Sequence, residues 1–505
     1  MQNVFSAAKK HFSSPIIQLA LVVLASLLIY VFAFLLPINL LELYDQPRLD
    51  RDLLFYQGTP SYVRLSLAFI GVWALYLLGY RISLKLEGRR AWLVVLAGTL
   101  AFIVVFLFMA PFDAADIYDN IMHGRILGVH RADPFQQVIA DFPDDPFYEY
   151  AAWKKARSAY GPLWESLAGL TAWLAGDGII ANALAFKLLP GLFHVAGAAL
   201  VVMYLVRESK GQALSAALLL GWNPMILYET WGNGHNDAAM AFWFLLAAWW
   251  LTRRRYTLAA LSLLAGALIK FLPILLIPAV LLIAWRSLQT FGARLAFLAR
   301  TIALAAAITI AAYYPFWNGL ASFSVERRMN MFTTSIPAVI YRLLKPTLGL
   351  HDSARLVSLA ALGLLAVFVI VQTLRTREAA RAGDDFLQIT FNILAFYLLV
   401  TCLWFQQWYS IWLVCLAPLL PPQSRNLALV FSFWVVSKQL VFGPEYVPIM
   451  FFQPETAVRF EPLLTSTVLG IPWLYALWIV LRAKRVIRPN QAGILETDEK
   501  HHAAA

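Results

Sequence analysis

The sequence predicts an all-α integral membrane protein, a polytopic bundle of about 12–14 transmembrane helices with long extracytoplasmic loops. Hydrophobic residues make up 61% of the 505-residue chain and charged residues only 14%, whereas soluble domains carry roughly 25% charged residues. Apolar runs of about 20 residues, enough to cross a bilayer as a helix, recur along the whole sequence. They leave no polar region long enough for a large soluble domain.

The positive charge of the chain indicates membrane orientation rather than nucleic-acid binding. The formal net charge is +11, but no basic groove with interleaved aromatic residues accompanies it. The basic residues instead form short clusters between apolar runs, which is typical of cytoplasmic loops. These clusters lie at 81–90, 253–255, 375–381 and 482–488. We therefore expect the lipid bilayer, and no nucleic acid, as a partner.

The first three apolar runs set the predicted topology. The run from Pro15 to Pro37 lacks the Ala-x-Ala exit of a signal peptide, so we predict a retained first span. Spans near 61–80 and 92–110 then bring the chain out of the membrane at residue 111. Further candidate spans lie near 162–176, 180–205, 212–229, 238–252, 257–284 (broken near Lys270–Pro273), 297–316, 355–373, 387–403, 410–421, 426–440 and 466–481.

This topology separates short basic loops on the inner side from longer, polar loops on the outer side. Residues 1–485 are predicted to form a single transmembrane domain, followed by a cytoplasmic polar tail at 486–505. An enzyme that works at the outer face would show this asymmetry. The extracytoplasmic segments are predicted to be 111–160, 229–237, 317–350, 404–409 and 441–465.

The outer loop 111–160 begins with FDAADIYDNIMHGRILGVHRADPF, which runs from Phe112 to Phe135. Asp116, Asp119 and His123 are spaced at i, i+3 and i+7, so a helix would place them on one face. A carboxylate at a membrane edge suits general-base work on a hydroxyl group, since burial raises its pKa. The alternative is a solvated amphipathic helix without a chemical role.

The segment GNGHND lies at the predicted outer end of a span. Its side chains Asn233, His235, Asn236 and Asp237 could bind sugar hydroxyls from a tight turn that the glycines permit. Equally, the amides could cap the next helix.

The segment QQWYS is a second polar patch on the predicted outer side. Trp408 and Tyr409 favour a place in the aromatic belt at the membrane interface. Gln406 and Gln407 beside them indicate sugar contact as the alternative.

The stretch DIYDNIMHGRILGVHRADPF resembles the first large outer loop of GT-C-type, polyprenol-phosphate-dependent glycosyltransferases. It is most similar to that of bacterial polyprenyl-phosphomannose-dependent α-mannosyltransferases. The residues that match the family pattern are Asp116, Tyr118, Gly124 and Asp133-Pro134-Phe135. Further matches follow in order: AYGPLW (159–164), NPMILYETWGNGHNDAAM (223–240), LIKFLP (268–273) and QQWYSIW (406–412).

The resemblance implies a GT-C-like helical bundle with its active site on the outer face. Asp116 would be the general base that deprotonates an acceptor hydroxyl. That hydroxyl would attack the anomeric carbon of a polyprenyl-phosphate sugar with inversion. Many relatives, such as protein O-mannosyltransferases and lipid A aminosugar transferases, carry two adjacent acids, but Ile117 follows Asp116 here, which argues against those activities. The fallback base is Asp119, followed by Asp45, Asp50 and Asp52.

The departing phosphate would need positive charge on the outer side. Arginine grips phosphate through a bidentate fork, and Lys270 within an apolar run is costly unless it is paired or functional. Snorkelling of Lys270 to the interface is the alternative. The predicted donor-phosphate residues are Arg327, Arg328, Lys270 and Arg125, with Arg342 also on that side. The predicted sugar or acceptor residues are His123, Asn233, His235, Asn236, Asp237, Gln407, Trp408 and Tyr409.

No cofactor or metal is expected at this site. The cysteines, Cys402 and Cys415, both lie in apolar stretches and offer neither a disulfide framework nor metal-ligand spacing. Arginines could neutralise a single phosphate without a metal ion.

The expected function is therefore inverting transfer of a sugar from a polyprenyl-phosphate donor to a lipid-linked or glycan acceptor. The reaction would occur at the extracytoplasmic face of a prokaryotic cytoplasmic membrane, and mannose follows from the resemblance only. One alternative is an oligosaccharide polymerase or ligase acting on lipid-linked glycans. Another is a lipid-sugar flippase or transporter, although such proteins tend to show repeated halves and polar residues at mid-membrane.

Overall fold

The fold is that of a computed structural model, which describes residues 14–43, 58–111, 115–207, 212–319, 331–376, 382–436 and 454–502. Regular structure within these ranges is helical, apart from isolated bridges between Asn39 and Met109 and between Thr333 and Trp404. The all-α prediction is confirmed. The α-helices of six or more residues are α1 (Pro15–Ile29), α2 (Gly58–Ser83), α3 (Arg89–Phe108), α4 (Asp116–Gly128), α5 (Pro162–Ala175), α6 (Ile179–Arg207), α7 (Ala213–Gly221), α8 (Asp237–Thr252), α9 (Tyr256–Ala267), α10 (Ile277–Ser287), α11 (Phe291–Tyr313), α12 (Ile336–Leu374), α13 (Ala382–Phe396), α14 (Ile411–Leu416), α15 (Pro422–Trp434) and α16 (Pro454–His502).

Eight helical segments of the described residues are long and apolar enough to cross a membrane. Each overlaps a predicted span, so the polytopic membrane class is confirmed. The segments are Pro15–Ile38, Val63–Ser83, Arg89–Phe108, Ile179–Arg207, Phe291–Phe316, Ile336–Leu374, Ala382–Thr401 and Val458–Arg482. The longest, Ile336–Leu374, begins well before the predicted span 355–373, so part of the predicted outer segment 317–350 is helical. In the other predicted spans, near 162–176, 212–229, 238–252, 257–284, 410–421 and 426–440, the described residues form helices of fewer than 18 residues.

Helix α8 shows why hydropathy suggested more spans than these eight. Its sequence DAAMAFWFLLAAWWLT is almost wholly apolar, and most of its 16 residues are buried inside the protein. A helix that is covered by other helices is apolar on all sides whether or not it crosses a bilayer. Length, rather than hydropathy, therefore separates α8 from the eight longer segments.

Several helices are interrupted in or next to the polar segments that the sequence analysis singled out. A π-helix at Leu227–Gly232 precedes α8, and a 3-10 helix at Leu272–Leu276 separates α9 from α10. The predicted break near Lys270–Pro273 is therefore confirmed. Another 3-10 helix, Gln407–Ser410, precedes α14. Such departures from α-helical geometry often occur at functional sites, because they redirect side chains and free backbone groups.

Helix α4 is held against α5 through direct backbone contact. A Cβ atom at Gly128 would lie 2.1 Å from the carbonyl oxygen of Gly169, and one at Gly124 would lie 2.6 Å from that of Ala168. Only glycine permits this approach, which explains the two glycines in the sequence of α4. The contact fixes the position of α4, and with it the carboxylate at its first residue.

Candidate active site

Four segments that are far apart in the sequence meet around one carboxylate. They are the first turn of α4 with Asp116, the turn 229–237, the interruption around Lys270, and the 3-10 helix Gln407–Ser410. The sequence placed all of these on the outer side, and the structure brings them into contact.

Asp116 begins α4 and remains partly accessible. Its side chain keeps 30% of its exposure, and it forms no hydrogen bond to the described residues. Burial by the surrounding protein raises its pKa, and the charges of Asp237 and Glu229 act in the same direction. The positive charges of His235 and Lys270 oppose this rise. The carboxylate is thus more basic than an ordinary aspartate, as a general base requires.

His235 lies between two carboxylates and is held by an aromatic stack. Its Nε2 is 3.8 Å from Oδ2 of Asp116, and its Nδ1 is 3.0 Å from Oε2 of Glu229. Its ring stacks on Trp408 with centroids 3.8 Å apart and planes 19° from parallel. Burial disfavours the imidazolium, but the adjacent carboxylate of Glu229, with the charges of Asp116 and Asp237, outweighs burial and raises the pKa of His235. The imidazolium form is therefore favoured at the position that faces Asp116.

The turn that carries His235 depends on Gly234. This glycine has φ +74°, and a Cβ there would lie 2.7 Å from Cδ1 of Ile117. The backbone N–H of His235 donates to the carbonyl of Glu229 over 2.9 Å and closes the turn. A side chain at position 234 would be strained and would also collide with α4.

Asn236 precedes α8 but does not cap it with its side chain. The residue is 1% exposed, and neither its amide oxygen nor its amide nitrogen has a hydrogen-bond partner among the described residues. The capping alternative for this amide is therefore not what the structure shows. Buried polar atoms in native proteins nearly always have hydrogen-bond partners. A ligand could supply the partners that the amide of Asn236 lacks among the described residues.

Asp237 and Lys270 form a buried ion pair at the same site. Oδ1 of Asp237 accepts from Nζ of Lys270 over 2.8 Å and from the indole N–H of Trp412 over 2.6 Å. The ammonium also lies 5.4 Å from the ring of Tyr160 and 5.6 Å from that of Tyr409. Lys270 thus does not snorkel away from the protein, and its charge acts on the pKa of Asp116.

The segment QQWYS also lines the site, through the contact of Trp408 with His235. Trp408 is 9% exposed and Gln407 is 1% exposed, and Tyr409 stacks on Trp412 with centroids 4.6 Å apart. The interface-belt interpretation, which the sequence favoured, does not fit these positions, because a belt residue faces the lipid headgroups. Trp408 instead orients His235.

Asp119 and His123 lie further along α4 and hold the outer loop. Oδ1 of Asp119 accepts from the backbone N–H groups of Ala152 and Trp153 over 3.0 and 2.9 Å. Nε2 of His123 lies 3.4 Å from the carbonyl oxygen of Ala156, and burial lowers the pKa of His123 to about 4. The predicted helical face exists, but Asp116 alone among its ionisable residues meets the cluster around His235.

Arg125 lies in a separate buried cluster. Its Nε donates to both oxygens of Asp145 over 3.0 and 2.8 Å, and its terminal nitrogens donate to Gly176 and Asp177 over 2.8 and 2.7 Å. All three guanidinium nitrogens are engaged by these contacts and the side chain is 2% exposed, so we assign Arg125 to the packing of the outer loop rather than to the donor phosphate. Arg327 and Arg328, and the acids Asp45, Asp50, Asp52 and Asp113, lie outside the described residues.

The sequence did not single out Glu229, which contacts His235, or Tyr160 and Trp412, which surround Lys270. A signal for Glu229 was available, since it is a lone acid in the apolar run MILYETW, and such residues are costly unless functional or paired. The aromatic residues carried no comparable signal. As for metal, no group of three or more His, Cys, Asp and Glu residues in the described ranges is arranged to hold an ion.

Comparison with known proteins agrees with the motifs in the outer segments. Residues 20–286, just over half of the chain, match the family described as alpha-(1->6)-mannopyranosyltransferase, N-terminal domain. Over 145 residues the chain is 26% identical to alpha-(1->6)-mannopyranosyltransferase A of Corynebacterium glutamicum, an alignment that covers 28% of each protein. No solved structure matches the chain. The matched region includes Asp116, Glu229, His235 and Lys270, and the chain belongs to the alpha-(1->6)-mannopyranosyltransferase family.

Proposed function

We propose that this protein is an inverting mannosyltransferase that moves mannose from a polyprenyl-phosphate donor to a hydroxyl of a lipid-linked or glycan acceptor. The observation that carries the proposal is Asp116, an accessible carboxylate of raised pKa that faces His235 and lies within the field of Lys270. Family membership supports mannose as the sugar. The polyprenyl-phosphate donor follows from the motif resemblance and from the cations of the site.

The reaction uses Asp116 as the acceptor of one proton. As the acceptor oxygen bonds to the anomeric carbon, its proton passes to the Asp116 carboxylate. The bond between that carbon and the phosphate oxygen breaks, and its electron pair leaves with polyprenyl phosphate. Attack and departure occur on opposite faces of the sugar, so the configuration inverts. General-base assistance of this kind contributes roughly 10²–10⁴-fold in rate.

The neighbouring groups have separate roles in the proposed reaction. Lys270 supplies positive charge for the phosphate, and charge-assisted hydrogen bonds to phosphate are short and strong. His235 faces the base, Asp116, rather than the phosphate. Asn236 has a buried donor and acceptor without partners among the described residues, and we propose that they bind sugar hydroxyls. Arg327 and Arg328 stay candidates for the phosphate. No step requires a metal ion.

The direct test is sugar transfer by the purified protein with short-chain polyprenyl phosphomannose and a panel of lipid and oligosaccharide acceptors. Asp116→Asn removes the base, and Asp385→Asn is the matched control because Asp385 is half-buried on α13, at the predicted cytoplasmic side. We expect transfer by the wild type and the control, and a loss of at least about 100-fold for Asp116→Asn. Near-normal turnover by Asp116→Asn would remove this residue from the mechanism. Transfer only from an oligosaccharide pyrophosphate lipid would instead indicate a ligase.

We also propose that the site faces the extracytoplasmic side of a prokaryotic cytoplasmic membrane. Both cysteines are buried, so a single introduced cysteine can report topology. In intact cells a membrane-impermeant maleimide should label Glu149→Cys, which replaces a side chain that is 81% exposed in the outer loop. It should not label Arg255→Cys until the cells are opened. The reverse pattern would place Asp116 on the cytoplasmic side.

A further inference from the structure

Glu229 is a buried carboxylate at the centre of the π-helix Leu227–Gly232. Its side chain is 1% exposed. One oxygen, Oε2, lies 3.0 Å from Nδ1 of His235 and accepts from the amide of Asn233 over 3.1 Å. The other oxygen, Oε1, has no hydrogen-bond partner among the described residues. Burying a carboxylate costs free energy unless a charge or strong hydrogen bonds compensate it. The placement of the Glu229 carboxylate beside His235 therefore needs an explanation.

His235 has one orientation in this arrangement. Its ring is clamped against Trp408, and its two nitrogens point in different directions, Nδ1 to Glu229 and Nε2 to Asp116. The charged groups that act on the ring are Glu229, Asp116 and Asp237, all acidic. Lys270 pairs with Asp237, and its positive charge lowers the pKa of Asp116. Of the three acids, only Glu229 is within hydrogen-bond distance of the ring.

We propose that Glu229 is a positioning residue that orients His235 and keeps it as an imidazolium, so that Nε2 holds Asp116 ionised for proton abstraction. The inference rests on the proposed function, because it assigns Asp116 as the base. When one ring nitrogen of a histidine is held by a carboxylate, the other nitrogen is the one that faces the reacting group. Here Glu229 holds Nδ1, and Nε2 faces Asp116. Glu229 therefore acts through His235 and touches no reacting atom.

If Glu229 had a purely structural role, its substitution would have different effects. Glu229 also accepts from Asn233, so it could serve only to brace the turn. In that case its neutral isostere would alter the amount of folded protein or lower activity equally at every pH. A positioning role instead links Glu229 to the ionisation of His235.

The first experiment measures kcat and KM from about pH 5.5 to pH 9 for the wild type, Glu229→Gln and Glu229→Asp. The matched control is Glu165→Gln, another fully buried glutamate, which hydrogen-bonds Ser158 rather than His235. At neutral pH we expect kcat of Glu229→Gln to fall about 10- to 100-fold while KM for the donor stays within about threefold. The basic limb of its profile should shift to lower pH, because the imidazolium loses its partner. Glu229→Asp, which keeps the charge, should recover part of kcat and the position of the limb.

The second measurement follows the protonation of His235 directly, by nuclear magnetic resonance of protein labelled with ¹⁵N-histidine. The chain has 8 histidines, and His235→Gln identifies the signal. In the wild type and in Glu165→Gln the imidazolium should persist to higher pH than in Glu229→Gln. This titration needs no substrate, so it tests the inference even if the transfer assay contradicts the proposed function. An unchanged titration in Glu229→Gln, or a loss of kcat that is equal at every pH, would overturn the inference.

Discussion

Replacing Arg125 distinguishes a structural role from donor binding, the role that the sequence suggested. Arg125→Ala leaves the fully buried carboxylate of Asp145 with His130 and the backbone N–H of Phe147 as its remaining hydrogen-bond partners. Removing one partner of a buried ion pair costs about 3–5 kcal/mol of stability. The lost contact to Asp177 adds about 0–1 kcal/mol, because that carboxylate is 78% exposed and screened by solvent. We therefore expect the free energy of unfolding to fall by about 3–6 kcal/mol.

The assay is chemical unfolding in detergent micelles, followed by helical content, together with KM for the donor. The exposed residue Arg300, which hydrogen-bonds Thr257, provides the control variant Arg300→Ala, whose unfolding should change little. The double variant Arg125→Met/Asp145→Leu should recover part of the lost stability, because two apolar side chains leave no unpaired buried charge. Unfolding of Arg125→Ala at the wild-type midpoint, combined with a raised KM, would refute the structural assignment and restore Arg125 to the phosphate.

Three other predictions follow from the geometry of the site. Gly234→Ala should destabilise the protein by about 1–3 kcal/mol, because the position has φ +74° and a Cβ would collide with Ile117; an unchanged unfolding midpoint would contradict this. The transfer rate should fall as pH drops through the raised pKa of Asp116, because the base must be ionised, and this acid limb should lie above the pH range of an ordinary aspartate. If the acid limb of the kcat profile lies at the pH of an ordinary aspartate, burial does not raise the pKa of the base. Dialysis against a chelator should leave transfer intact, and loss of activity that Mn²⁺ restores would show that a metal is required.

The sequence predicted the helices well because their signal is local. Apolar runs of span length and the placement of arginine clusters identified all eight long segments, and Pro273 marked the break between α9 and α10. The number of spans was harder to predict. A buried helix such as α8 and a lipid-facing helix have similar hydropathy, and only their surroundings differ.

The candidate site was predicted in part. The topology predicted from the sequence placed Asp116, the turn around His235 and the segment around Trp408 on the same side of the membrane. It did not reveal that His235 stacks on Trp408, which excluded the interface belt for that tryptophan. Glu229 escaped notice because its role depends on one contact with His235 that the sequence does not display.

By itself, the sequence determined the all-α membrane class and the positions of the long helices, and it identified the polar groups of the segments predicted to lie outside. These properties depend on the hydrophobicity and spacing of neighbouring residues, which a linear reading contains. Only the tertiary structure decided which charges meet. Arg125 and Lys270 are both cations near apolar runs. Arg125 is held by Asp145, Asp177 and a backbone carbonyl, whereas Lys270 pairs with Asp237 and its charge acts on the base. Electrostatic interactions depend on distance and burial in three dimensions, and the packing of helices from distant parts of the chain sets both.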